Sequence, residues 1–239
     1  MALSDFRSLG ARNRQPETMD HPDLDPDRHR EALRALARIN RISRTARRYW
    51  PEIGLLARRL GRHPVHLLDV ACGGGDVAMA LARIADRSGV DLRIDGCDLN
   101  SEALDHARRH AEREGSAVGF FQLDATDAPL PEYDVVISSL FLHHLDDDQA
   151  VDLLGRLARA ARHLLQVSDL VRSSLGYAYA YAGSRLLTRS PVVHGDAVLS
   201  VAAAFTRAEA AGLARRAGLS GVEIRTSFPE RFLLIWRRA

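Results

Sequence analysis

Two groups of residues in this chain are of types and spacings that could do chemistry. Asp69 and Asp76 bracket Ala71, Cys72 and the glycines Gly73, Gly74 and Gly75, and three histidines, His143, His144 and His194, fall later in the chain. Glycines remove side chains where backbone must come close to a ligand. A dinucleotide site uses such a turn to hold pyrophosphate at a helix N-terminus, where the negative charge has to come from the ligand. Here that place is already acidic, so the two carboxylates would repel phosphate and attract a cationic ligand. Histidine titrates near neutrality and is the natural base for taking a proton from a hydroxyl acceptor. Asp196, two residues beyond His194, is placed to orient that imidazole.

These residues need elements to position them. Residues 65–70 form an apolar run suited to a strand buried on both faces, and residues 76–85 carry apolar side chains at helical spacing. A second strand over 92–97 leads to Asp98, a third over 118–123 to Asp124, and a fourth over 133–139 to the segment with His143 and His144. Each acid therefore lies at a strand's carboxyl end, where open parallel sheets bind ligands. Asp98 there can accept hydrogen bonds from two ribose hydroxyls, and Asp124 from an adenine amine, with the Ala125 backbone at the ring edge. A ligand with an ammonium, a sulfonium, a ribose and an adenine satisfies all of these, and S-adenosylmethionine is one. Residues 206–217 read as a helix, and 222–227 and 231–236 as a terminal hairpin.

Asp69-Val-Ala-Cys-Gly-Gly-Gly75, Asp98, Asp124-Ala125 and Asp134-Val-Val-Ile-Ser-Ser-Leu-Phe-Leu-His-His-Leu145, in that order and spacing, resemble the class I S-adenosylmethionine-dependent methyltransferases that act on small molecules. The resemblance runs from about residue 65 to the C-terminus. It implies an α/β, Rossmann-like fold with seven mostly parallel strands in the order 3-2-1-4-5-7-6 and an antiparallel last strand. It also implies S-adenosyl-L-methionine as cofactor and S-adenosyl-L-homocysteine as product. The cofactor residues it implies are Asp69, Ala71, Cys72, Gly73, Gly75, Asp76, Asp98, Leu99, Asp124, Ala125 and Ser138. In this arrangement Cys72 is a tolerated variant with an inert thiol.

Outside that region the expectations concern the acceptor. Residues 1–60 form an N-terminal helical cap: a polar, proline-punctuated stretch to residue 26, then a helix capped by Asp27, then a break at Pro51 before a shorter helix over 52–60. The cap holds 13 arginines against 8 acids. By resemblance it closes over the cofactor, with Asn40, Arg41 or Arg44 reaching the methionine carboxylate. The methyltransferase domain then occupies 61–239. Residues 170–205, after a fifth strand over 163–169, are too long for a simple connection and read as a lid. Tyr177 and Tyr181, four apart, would present an aromatic wall, and residues 190–196 would form a turn carrying His194.

Methyl transfer is an in-line displacement in which positioning dominates, so the sequence predicts a small, apolar, aromatic acceptor methylated at oxygen. His194 and His144 lead as catalytic residues, followed by His143. C-methylation of a quinone-like acceptor remains the nearest alternative, and RNA methylation on the arginine-rich helix the more distant one. A formal net charge of +2 argues against nucleic acid. Asp146, Asp147 and Asp148 are better placed to cap a helix than to bind metal, so no metal is expected. No apolar run reaches the roughly 20 residues of a membrane span, the N-terminus lacks a signal-peptide pattern, and a cytoplasmic location follows. A homodimer stays open.

Overall fold

The computed structural model describes residues 8–21, 23–61 and 63–238. One sheet has the order β3-β2-β1-β4-β5-β7-β6. Its strands are β1 Val65–Val70, β2 Leu92–Asp98, β3 Gly119–Gln122, β4 Tyr133–Ser139, β5 Ala161–Leu170, β6 Glu223–Ser227 and β7 Arg231–Arg237. The first five pair parallel, and β7 runs antiparallel to both β5 and β6. Order and reversed strand are those expected.

The central strands are continuous apolar runs because both faces are covered. Leu67 and Leu68, Val135 and Val136, and Leu233 and Leu234 are consecutive pairs whose side chains point to opposite faces, and all six are buried. One face packs Leu68, Val136 and Phe232 against Leu153, Leu154 and Leu157 of α5 (Asp147–Ala160; the label follows chain order). The other packs Leu67, Val135 and Leu233 against Tyr49 and Ile53 of α2 (Thr45–Leu60) and Met79 and Leu81 of α3 (Asp76–Arg87). Each such side chain contributes roughly 1.5–3 kcal/mol by burial.

The reversal of β7 matters for function. Because β5 ends at the ligand edge and β7 runs back from it, Arg231 pairs with Leu170 and Phe232 with Asp169. Both ends of the terminal hairpin turn therefore border the site.

Three local expectations need correction. The first cap helix is α1 (Pro26–Ile42), and Asp25 caps it instead of Asp27, accepting from the amides of Asp27 and Arg28 at 3.1 and 3.0 Å. Pro26 takes the first helical position, where an N–H would have had no partner. Second, Pro51 lies inside α2, and the break comes earlier, at Ser43 and a left-handed Arg44 (φ 54°). Interior proline costs about 3 kcal/mol, which the burial of Tyr49 and Ile53 on the sheet offsets. Third, residues 191–196 are helical, with Ser190 at the N-cap, and form the start of α7 (Pro191–Ala203), which with α6 (Ser174–Leu187) makes up most of the segment expected as a lid. The remaining helices are α4 (Ser101–Glu114) and α8 (Arg207–Arg216).

Ahead of α1, the described part of the N-terminal stretch lies as a strap against residues 143–145 and α7; the expectation for residues 1–7 lies outside the described residues. Arg12 donates to the carbonyls of His143 (2.9 Å), Leu145 and Ala203 and stacks on Phe205, with its guanidinium 3.7 Å from the ring centre. Arg14 donates to the His144 carbonyl at 2.7 Å, and Arg172 to that of Leu9 at 3.1 Å. The Asp196 carboxylate accepts from the amides of Thr18 and Met19, each at 2.9 Å. No described helix is long and apolar enough to cross a membrane.

Candidate active site

A cavity of about 970 Å³ opens over the carboxyl ends of β1, β2 and β4, walled by α1, α6, α7 and the strap. Of the predicted residues, Ala71, Cys72, Gly73, Asp76, Asp98, Leu99, Asp124, Ala125, His143 and His144 line it. Gly75 sits just behind, at φ 71°, where a Cβ would meet Phe120 Cζ at 2.5 Å. The glycine is thus required by backbone and packing together. Burial raises the Cys72 thiol well above its usual pKa, which agrees with an inert role.

Half-buried acids, Asp76, Asp98 and Asp124, line the cavity, while the predicted Asp69 is fully buried and outside the lining. Asp69 lies beneath the loop, with Oδ1 lacking any hydrogen-bond partner in the protein. Burial raises its pKa well above the usual carboxylate range, and the charges of Asp76 and Asp98 raise it further. Asp76 is raised by burial too, an effect that the Asn40 amide partly offsets. Asp98 holds the loop in shape: its Oδ2 accepts from the Gly73 amide at 2.7 Å and its Oδ1 from the Asn100 amide at 2.9 Å. Asp124 accepts from Thr126 Oγ1 and N at 2.6 and 2.8 Å, bonds that lower its pKa and keep it ionised.

Opposite these acids stands a buried cation that sequence reasoning missed. Arg231 is 3% exposed, donates through Nη1 to Asn40 Oδ1 (3.2 Å) and Thr45 Oγ1 (3.0 Å), and leaves Nε without a partner. In the cavity lining, the Asp76 carboxylate and Arg231, with its orphaned guanidinium N–H, are complementary to the ammonium and carboxylate of an amino acid. The residues present therefore fit the methionyl end of S-adenosylmethionine. The signal lay in the hairpin: a first residue of a reversed strand belongs at the ligand edge. Arg44, by contrast, is exposed and outside the cavity lining, because the left-handed turn points it away, and Asn40 is the α1 residue that lines it. Ser138 is also outside the lining; its carbonyl accepts from Tyr49 Oη at 2.8 Å, and Ser139 takes the lining position.

The far end holds the histidines that follow β4. His143 is buried, with Nδ1 2.7 Å from Asp169 Oδ1 and its amide donating to Asp169 Oδ2 at 3.0 Å. Burial alone would lower its pKa, but Asp169 and then Glu17 outweigh that and push it up to about 10. Asp169 is correspondingly lowered. His144 places Nδ1 3.0 Å from Asp20 Oδ2, and its ring lies 4.3 Å from that of His143. His194 is not among the lining residues. Its Nε2 is paired with the Thr188 carbonyl at 2.9 Å, and Asp196 faces the strap. Residues two apart on a helix do not share a face, so the helical start of α7 separates them. The lid face follows the same logic: Gly176, Tyr179, Ala180 and Gly183 line the cavity, while Tyr181 packs under Arg185. Tyr179, not the Tyr177–Tyr181 pair, is the aromatic wall. The acids Asp146–Asp148 cap α5, with reciprocal bonds between Asp146 and Gln149.

Comparison with known proteins agrees with this geometry. Residues 67–163 match the family described as a methyltransferase domain. The ubiquinone biosynthesis O-methyltransferase of Thiobacillus denitrificans is 32% identical over 210 residues, covering 79% of this chain and 84% of that one. The enzyme of the same description from Pectobacterium atrosepticum is 31% identical over 143 residues, and there the match spans 58% of this chain and 56% of the relative. Among solved structures, an O-methyltransferase family 2 protein from Planctomyces limnophilus, in complex with apigenin, superposes with a TM-score of 0.62 at 20% identity, over 91% of this chain and 63% of that one. A methyltransferase from Aquifex aeolicus gives 0.58 at 16% identity, over 91% and 100%.

Proposed function

Since this chain belongs to the class I S-adenosylmethionine-dependent methyltransferases, we propose that it methylates a hydroxyl of a small aromatic acceptor held between α6 and the His143–His144 pair. The observation that carries this is the cavity itself. Its volume of about 970 Å³ lies at the top of the roughly 300–1,000 Å³ range of small-ligand sites, which leaves room for a second molecule beside the cofactor. That second end is lined by Tyr179, Ala180, Leu187 and Phe228 on one side and by the histidines on the other. Such a wall suits a flat ring with a polar edge. The relatives named as ubiquinone biosynthesis O-methyltransferases and the apigenin bound to a structural neighbour support the same class. Enclosure by strap and lid weighs against a nucleic-acid acceptor.

S-adenosylmethionine, when bound, supplies a methyl group already activated on a sulfonium. The chain's residues orient the partners. Asp76, with the buried Asp69 adding to its field, receives the ammonium, Arg231 and Asn40 the carboxylate, Asp98 the ribose hydroxyls, and Asp124 with the Ala125 backbone the adenine; Gly73 admits the ligand against backbone and Gly75 fixes the loop behind it. The acceptor hydroxyl faces the histidine pair, where it is ionised for attack. Asp169 and Asp20 hold the two rings in place.

Two measurements test these roles. Arg231→Met should weaken S-adenosylhomocysteine binding about 10- to 100-fold by calorimetry, the equivalent of roughly 1.5–3 kcal/mol for bonds to a charged group. A folded variant with wild-type affinity would remove Arg231 from the site. His144→Ala should lower kcat for a phenolic acceptor by about 10²- to 10⁴-fold while S-adenosylhomocysteine affinity stays within twofold. Undiminished turnover would place proton removal elsewhere, and failure of every hydroxylated aromatic to yield S-adenosylhomocysteine would defeat the acceptor reading.

A further inference from the structure

We propose that Glu17, His143 and His144 form a binding site for one divalent first-row cation, of the zinc type, at the acceptor end of the cavity. One ligand atom from each of the three lies within 4.8 Å of the others. All three line the cavity, so a cation among them would keep a coordination position open to a substrate.

The spacing of the pair at the centre favours a metal over a proton. His143 Nε2 and Glu17 Oε1 are 3.4 Å apart. That is long for a charge-assisted hydrogen bond, which closes to about 2.7–2.9 Å. It matches two ligands that each sit about 2.0–2.1 Å from a tetrahedral ion, which places them about 3.3 Å from one another. In this arrangement the cation replaces the proton that Asp169 and Glu17 otherwise hold on His143.

Each ligand also has an outer partner that fixes its direction, as metal-bound side chains do. Asp169 holds His143 Nδ1 at 2.7 Å, which leaves Nε2 for the ion. Asp20 holds His144 Nδ1 at 3.0 Å, and that ring's other nitrogen is Nε2. Ser200 Oγ donates to Glu17 Oε1 at 2.6 Å. The ligands come from two elements remote in sequence, the strap and the turn Leu142–His144. The strap is itself pinned to that turn by Arg12 and Arg14, so the site is built by tertiary contacts and not by a run of like residues.

Two imidazoles and one carboxylate are a ligand set for zinc and its neighbours, with a fourth position free. This inference rests on the acceptor lying at this end. The acceptor hydroxyl oxygen would take the free position, its proton would leave to water, and the ionised oxygen would be the nucleophile at neutral pH. The oxygen–carbon bond then forms as the carbon–sulfur bond breaks, giving a methyl ether and S-adenosylhomocysteine.

The test uses the full, tag-free chain treated with chelator and titrated with Co²⁺ alone. We expect one Co²⁺ per chain with the visible absorption of a four-coordinate nitrogen–oxygen site, displaced by Zn²⁺. Glu17→Gln and His144→Ala should each weaken Co²⁺ binding at least 10-fold, with S-adenosylhomocysteine binding retained as the check on folding. Absence of stoichiometric Co²⁺ binding, or binding that Glu17→Gln leaves unchanged, overturns the proposal. Full turnover in the chelated protein also overturns it, yet leaves methylation at a hydroxyl standing. Stoichiometric binding with no hydroxyl acceptor methylated does the reverse: the cation site stands and the acceptor reading falls.

Discussion

In the metal-free protein, replacing Asp169 with alanine should lower the melting temperature by roughly 10 °C, because it removes the nearer carboxylate partner of a buried imidazolium. Asp169 and His143 are 1% and 2% exposed, and removing one partner of a buried ion pair costs about 3–5 kcal/mol. In a chain of this size each kcal/mol shifts the midpoint by roughly 2–4 °C. The pH dependence gives the sign. His143 is raised in the folded protein to about 10, so its contribution is complete below its unfolded value, roughly 6.5, and is lost as pH rises through about 10. Asp169 is lowered, so its contribution is present above its unfolded value, roughly 3.9, and is lost as pH falls through the folded one. The difference in melting temperature between wild type and Asp169→Ala should therefore be largest between about pH 4 and 6.5 and shrink on either side. A difference that stays flat from pH 5 to 10, followed by calorimetry, would mean that the pair is not ionised as the geometry requires.

Gly75→Ala should abolish useful cofactor binding. A left-handed non-glycine residue costs about 1–2 kcal/mol, and the added Cβ would lie 2.5 and 2.6 Å from two atoms of the Phe120 ring, an overpacking worth typically 1–3 kcal/mol more. The loop can relieve that only by moving toward the ligand. Affinity for S-adenosylhomocysteine should fall about 100-fold or more by calorimetry. Gly89 supplies the control: its φ is 64° but nothing lies within 4 Å of its Cβ position, so Gly89→Ala should lose about 1 kcal/mol of stability and keep its affinity. A partner change, Phe120→Leu, should restore part of the binding to Gly75→Ala. Equal affinities in all three proteins would show that the loop has more room than its packing implies.

The cofactor half of the site is legible in the sequence because its parts are local. Asp69 lies near the end of β1, Asp98 ends β2 and Asp124 follows β3, and the end of a parallel strand is the ligand edge in any sheet of this kind. The errors at this end arise where the chain turns. Resemblance directs Arg44 inward, yet the left-handed turn between α1 and α2 sends it to solvent. Of the three residues expected there, Asn40, Arg41 and Arg44, Asn40 is the one that lines the cavity. At the lid, the four-residue spacing of Tyr177 and Tyr181 does identify one helix face, but spacing alone does not say which face is turned inward; the packing of α6 selects Tyr179. His194 and Asp196 make a pair only if their segment is a turn, and it is a helix.

What the sequence by itself determined was the fold, through its resemblance to a family with this strand order, and the methyl donor, through the glycine loop and the acids at strand ends. Only the tertiary structure decided which groups on distant elements meet. Arg231 reaches the cofactor acids because β7 runs backward, Asp169 meets His143 across 26 residues, and Glu17 arrives on a strap held by Arg12 and Arg14. Such meetings depend on long-range packing of elements whose order carries no mark of their partners, whereas the glycine loop takes its shape from a short run of chain.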